Sequence, residues 1–277
     1  MSEEIRIRLA RTRADYDTCV ALQEEVWGLE ALEVTSAIQM IASTFAGGMV
    51  HLADTPEGHS VGFAYAFPAL TGGPHLHSDM LAVAPSHQKR GVGAQLKWAQ
   101  RTDALQRGVP FITWTFDPMQ AVNAHLNLRR LGGVATHFYE DFYGRTSSAL
   151  HHGLPTDRLM VRWQLEAPRV VERAAAPAAA AAPAPPPDLP RVNDVKWQAG
   201  WAVSSAPRLD LEEPELLLEI PPEWDVICQT APRMAEDWQG RMRAAFKAYF
   251  ARGYVAADFI PTEDAGRRRP FYLLRRG

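Results

Sequence analysis

The run LAVAPSHQKRGVGAQLKWAQ, Leu81 to Gln100, concentrates the residue types that could handle an anion. An apolar stretch, Met80 to Ala84, stops at Pro85 and gives way to a short polar turn with Gln88, Lys89, Arg90, Gly91, Val92, Gly93 and Ala94. A helix pattern then begins, so both glycines sit where that helix starts. The first N–H groups of a helix have no intrahelical partner, and the helix dipole adds partial positive charge there. Lys89 and Arg90 bring full charges beside it, and glycine lets the backbone approach a ligand closely. The chemistry expected is the grip of a phosphorylated small molecule.

Spacing decides which phosphate turn this is. A P-loop needs Gly-Lys-Ser/Thr after its four-residue gap, which is absent. A dinucleotide fingerprint needs a third glycine, but Ala94, Gln95 and Leu96 follow Gly93. Gln-x-x-Gly-x-Gly, from Gln88 to Gly93 and directly after a V-x-P strand end, fits in full. It resembles the acyl-CoA pyrophosphate loop of the GNAT (GCN5-related N-acetyltransferase) superfamily.

That resemblance, taken over residues 1 to about 165, implies a mixed α/β fold with a central sheet flanked by helices. It also implies an acyl-CoA co-substrate, acetyl-CoA by default and succinyl-CoA as a variant. Leu81 and Val83 would offer backbone groups to pantetheine, and Asn123 resembles the asparagine that contacts it. The expected reaction moves the acyl group to the amine of a small molecule such as an amino acid. Many members carry a tyrosine four residues before the closing glycine of the following helix, where it can protonate the departing thiolate. Here Leu128 holds that offset from Gly132, with Asn127 beside it.

An amine attacks only after losing its proton, so a base is needed. Asp79 and His77 share a strand face at period two and are the preferred candidates, with Asp117 and Glu25 behind them. The pair His75-x-His77 lacks the further ligands a metal would need and reads as ordinary strand histidines. In the tail, Tyr249 precedes Gly253 by the four residues that separate Leu128 from Gly132, so it is the candidate for the missing phenol. Packing on the core side of its helix is the plainer reading of that tyrosine.

These residues need elements to hold them. The pattern from Ile5 to Leu165 predicts β-α-α-β-β-β-α-β-α-β-β, with Asp15 capping the first helix, Thr35 or Ser36 the second, and one continuous helix over Ala121–Leu131. Val92, Leu96 and Ala99 are the expected buried face of the helix after the turn. Ala174 to Pro187 holds only alanine and proline and reads as a semi-rigid spacer reaching about 40 Å as polyproline II. The expected organisation is an acyltransferase domain (1–166), a linker (167–190) and a smaller C-terminal α/β module (191–277). That module's strand, helix, strand, strand order matches the first domain from Phe111 onward, as a half-repeat would.

Composition bounds the rest. The chain has 277 residues, 47% hydrophobic and 22% charged, with a formal net charge of −3, which disfavours a nucleic-acid partner. Arg267–Arg269 and Arg275–Arg276 read as a solvated end. Two cysteines, Cys19 and Cys228, imply no disulfide framework. The first residues show no signal-peptide core and no stretch is apolar enough to span a bilayer, so the expectation is a cytoplasmic protein off the membrane. A homodimer is left open, as is docking of the C-terminal module within one chain or across a dimer. Two other readings stay open: an acyl-CoA binder without turnover, on account of Leu128, and, weakly, a nucleotide-dependent oxidoreductase.

Overall fold

The structure is a computed structural model that describes residues 4–144, 146, 152–176 and 188–277. Most of the alanine/proline spacer, 177–187, lies outside the described residues. The described residues form two compact units. The first runs to Trp114 and adds Thr146 and Gln164–Ala167; the second comprises 115–144, 152–163 and the described residues from Pro168 to Gly277.

In the first unit, β1 (Arg6–Leu9), β2 (Met49–Asp54), β3 (Ser60–Ala69), β4 (His75–Val83) and β5 (Phe111–Phe116) neighbour one another in that order. β1 to β4 pair antiparallel, whereas β4 and β5 run parallel. Two helices, α1 (Arg13–Trp27) and α2 (Ala37–Phe45), cover one face, with Cys19, Leu22 and Met40 packed on Leu52, Phe63 and Met80. Burying each large apolar side chain contributes about 1.5–3 kcal/mol, and this layer fixes β4 in place. The other face takes α3 (Val92–Gln106), whose Val92 and Leu96 meet Ala53 and Ala64.

Helix starts follow local chemistry, with one correction. Thr12, not Asp15, caps α1: its hydroxyl accepts from the Asp15 N–H, while the Asp15 carboxylate accepts from the Thr12 N–H at 2.8 Å. That reciprocal pair is a capping box, so the acidic residue belongs three positions inside the helix. Ser36 caps α2, one of the two residues expected.

The second unit holds neighbouring strands in the order β7 (Arg158–Gln164), β6 (Val134–Tyr139), β11 (Tyr254–Asp264), β12 (Arg267–Arg276) and β10 (Glu215–Glu219), with a separate hairpin of β8 (Val195–Gln198) and β9 (Trp201–Ser204). β6 ends at Tyr139, where a turn begins. The expected continuous helix is α4 (Ala121–Ala124) followed by a π-helix over His125–Arg130. A short helix, α5 (Pro168–Ala175), occupies the first part of the expected linker, buried at Val170. After β10 come two helices, α6 (Trp224–Thr230) and α7 (Pro232–Ala251), and then β11 and β12, so the tail has one helix more than the strand–helix–strand–strand order expected of it.

A buried ion pair ties β10 to β12: the Arg269 guanidinium donates to both Glu219 carboxylate oxygens at 2.8 and 2.7 Å. Removing Glu219 leaves Arg269 its contact to Asp264 at 3.3 Å, at a cost below the about 3–5 kcal/mol of breaking a fully buried pair. Glu219→Ala should therefore lower the denaturant midpoint, whereas an exposed control such as Glu223→Ala should leave it near wild type.

Candidate functional site

β4 carries the candidate chemistry, and its register explains how. Tyr65 on β3 pairs with Met80 and the next residue, Ala66, with Ser78, so Asp79 is an extra residue bulged out of the ladder. A bulge re-aims side chains and interrupts pairing. On the far edge, β4 pairs with β5 only at Leu76–Ile112 and His77–Thr113. The remainder of β4, including Leu81 and Val83, leaves backbone groups on that edge unused by β5, which is what an extended ligand lying along the strand would need.

The turn after β4 is built as its glycines require. Pro85–His87 form one 3-10 turn, and the Gln88 side-chain amide donates to the Val83 carbonyl at 3.0 Å, tying the turn to the strand end. Lys89 and Gly91 both take the left-handed region, with φ 61° and 86°. Gly91 is the N-cap of α3 and no side chain caps that end. A Cβ at Gly91 would meet nothing within 4 Å, so the space in front of the helix start is open. Lys89 and Arg90 are exposed beside it.

Behind the bulge, a hydrogen-bonded chain fixes two histidines. His75 Nδ1 lies 2.8 Å from the Gly73 carbonyl oxygen and must donate to it, so in the neutral ring Nε2 accepts. Thr113 Oγ1, 3.0 Å from that Nε2, therefore donates to it and accepts from His77 Nδ1 at 2.9 Å. His77 Nε2 is left as the lone-pair nitrogen. Burial, then the neighbouring His75 and Lys97, push His77 down to about 4, so this ring is neutral at pH 7. Its ring lies 5.4 Å from Phe67, and Phe67 lies 5.8 Å from Tyr65, whose hydroxyl feels the Asp79 charge. Asp79 is reached by solvent, yet the surrounding chain desolvates its carboxyl and raises it above the ordinary carboxylate range.

One side chain here escaped the sequence reading. Lys97 points inward from α3 and is 2% exposed. Its ammonium donates to Ser78 Oγ at 2.9 Å and to Gln100 Oε1 at 3.1 Å, and it sits 3.8 Å from the Trp114 ring centroid. Desolvation lowers it to about 7. Ala99, expected on the buried face, is only half-buried; Lys97, Gln100 and Ala104 are buried instead, at i, i+3 and i+7. Because the folded pKa lies below the unfolded one, the unfolded chain holds the extra proton between about pH 7 and 10. This group therefore adds stability as pH rises through that window. Thermal melts should show the midpoint climbing from pH 7 to 9, and Lys97→Met should flatten the climb.

The remaining candidates fall as follows. Glu25 is an exposed position on α1. In the second unit, Asp117 accepts from the Met119 N–H at 2.8 Å, as a helix-start residue does, and desolvation raises its carboxyl to about 6. Asn123 is exposed on α4 and Leu128 is fully buried. Tyr249 is fully buried, donates its hydroxyl to the Arg208 carbonyl at 2.6 Å and meets Tyr254 edge-on. Tyr249→Phe removes that one hydrogen bond and should cost about 0.5–1.5 kcal/mol in a denaturant melt.

The description "Acetyltransferase (GNAT) family" fits residues 16–132 of this chain. No curated protein matches it. Among solved structures, the ribosomal-protein-S18-alanine N-acetyltransferase of Escherichia coli is 15% identical at a TM-score of 0.47, covering 58% of this chain and 94% of that one. The ribosomal-protein-alanine N-acetyltransferase of Brucella melitensis is 21% identical at 0.47, covering 57% and 99%. A GNAT family acetyltransferase from Elizabethkingia anophelis, with acetyl-CoA bound, is 17% identical at 0.43, covering 58% and 97%. The matched stretch, residues 16–132, contains the turn of Gln88–Gly93 at the head of α3 and the half-paired β4 before it, so this part of the chain is similar to the GNAT acetyltransferases.

Proposed function

We propose that the chain transfers an acyl group, acetyl by default, from acyl-CoA to the primary amine of a small molecule. The observation that carries this is the alignment of an open, uncapped helix start at Gly91 with a strand, β4, whose outer edge is unpaired beyond His77. The N–H groups of Val92, Gly93 and Ala94, with Lys89 and Arg90, suit a pyrophosphate, and the backbone of Leu81 and Val83 suits the amide-bearing arm behind it.

Asp79 is the proposed base. Its raised pKa keeps it a better proton acceptor than an ordinary carboxylate while solvent still restores its charged form. His77 on β4 presents a neutral Nε2, able to accept a hydrogen bond from the amine without repelling an incoming cation. Tyr249 is proposed as a packing residue, since its hydroxyl is spent on Arg208. An amine-library screen with detection of released thiol tests the reading and names the acceptor class. Thiol release with one amine class supports it; acyl-CoA binding with no release across the library favours a binder without turnover, for which buried Leu128 is the motivating residue.

A further inference from the structure

We propose that Lys97 supplies, in this chain, the electrostatic support for the leaving thiolate that Leu128 cannot give. The inference rests on the acyl-CoA reading above. Its basis is where the ammonium sits. β4 and β5 stop pairing after His77 and Thr113, and the next residue on each strand is Ser78 and Trp114. The Lys97 ammonium lies on both: 2.9 Å from Ser78 Oγ and 3.8 Å from the Trp114 ring centroid. It therefore spans the two strands at the point where they cease to pair, one residue before the Asp79 bulge. In this proposal a thioester entering along the free edge of β4 toward Asp79 brings its sulfur to the fork, with the buried ammonium behind it.

Burying a lysine costs free energy that a methionine or leucine of similar volume would not. The hydrogen bonds to Ser78 and Gln100 and the aromatic face of Trp114 hold it in one place. Among the groups near it, His51 on β2 is bonded to Asp103 of α3 at 2.7 Å, and burial holds His77 on β4 neutral. Negative charge appearing on sulfur near the fork would favour the ammonium further, since an opposite charge within about 4–6 Å stabilises the charged form of each partner.

In the step, the amine lone pair forms the C–N bond and the C–S electron pair leaves on sulfur. The amine proton passes to the Asp79 carboxylate. The sulfur leaves as thiolate beside the Lys97 ammonium and takes a proton from solvent, and Asp79 returns its proton to solvent. Lys97 is a positioning charge in this scheme and is not consumed.

The test uses the product complex and needs no knowledge of the amine. CoA is bound to the full-length protein and its thiol is titrated by the ultraviolet absorbance of the thiolate. In the wild type the bound thiol should titrate at least about one unit below free CoA. Lys97→Met and Lys97→Gln, the second keeping a polar contact to Ser78, should bind CoA within about threefold of wild type and return the thiol to its free value. A bound thiol that titrates alike in the wild type and in either folded variant overturns the role of Lys97 and leaves the acyl-CoA reading standing. Failure of the wild type to bind CoA removes both.

Discussion

Gly91→Asp should fold normally and lose at least about tenfold in CoA affinity, roughly 1.4 kcal/mol or more. Gly91 caps α3 in the left-handed region, and a Cβ there meets no atom within 4 Å, so the substitution creates no clash inside the fold. What it adds is a carboxylate in the open space before the helix start. A unit charge about 4 Å from another is worth about 4 kcal/mol at a protein surface, so even a partly screened repulsion of a pyrophosphate exceeds that threshold. Some backbone strain accompanies any side chain at φ 86°, and a melt of the variant separates that from the loss of binding. A stable variant that binds CoA as the wild type does would move the phosphate site elsewhere.

Asp79→Asn should leave CoA binding intact and lower kcat by about a hundredfold to ten-thousandfold, the usual contribution of a general base. The side chain is bulged out of the β3–β4 ladder and open to solvent, so the amide should be tolerated without loss of stability. The sign with pH follows from the raised carboxyl: it works deprotonated, so kcat/KM falls as pH drops through a pKa above the ordinary carboxylate range. The variant should lack that acidic limb. His77→Gln, by contrast, should act mainly through KM, because a ring held near 4 is too weak a base to carry the proton transfer. An unchanged acidic limb in Asp79→Asn would transfer the base role to another group.

The strand-to-helix turn at Gln88–Gly93 was legible because its conformation is local: two glycines, a glutamine and a proline at fixed offsets report the backbone they need. Element order in the first unit was legible for the same reason, from period and punctuation. The bulge at Asp79 was not, since it arises from the register of β4 against β3, a relation between segments that no window along the chain contains. Thr113 gave no signal either; it matters only because β5 brings it between two histidines of β4. Lys97 left a faint trace. With Gln100 and Ala104 it sits at i, i+3 and i+7 on one helix face, but a lysine in that pattern reads as surface until the face is seen to be buried. The π-helix over His125–Arg130 replaces part of a helix whose C-terminal end Gly132 and Gly133 mark, because widening one turn changes hydrogen bonding and not composition.

The central claim is that the turn at Gly91 and the free edge of β4 together bind acyl-CoA. Isothermal titration calorimetry of the full chain with acetyl-CoA and, separately, with NAD tests it most directly. The account predicts one saturable acetyl-CoA site per chain, weakened by Gly91→Asp, and no heat from NAD. Saturable binding of NAD with none of acetyl-CoA would contradict it.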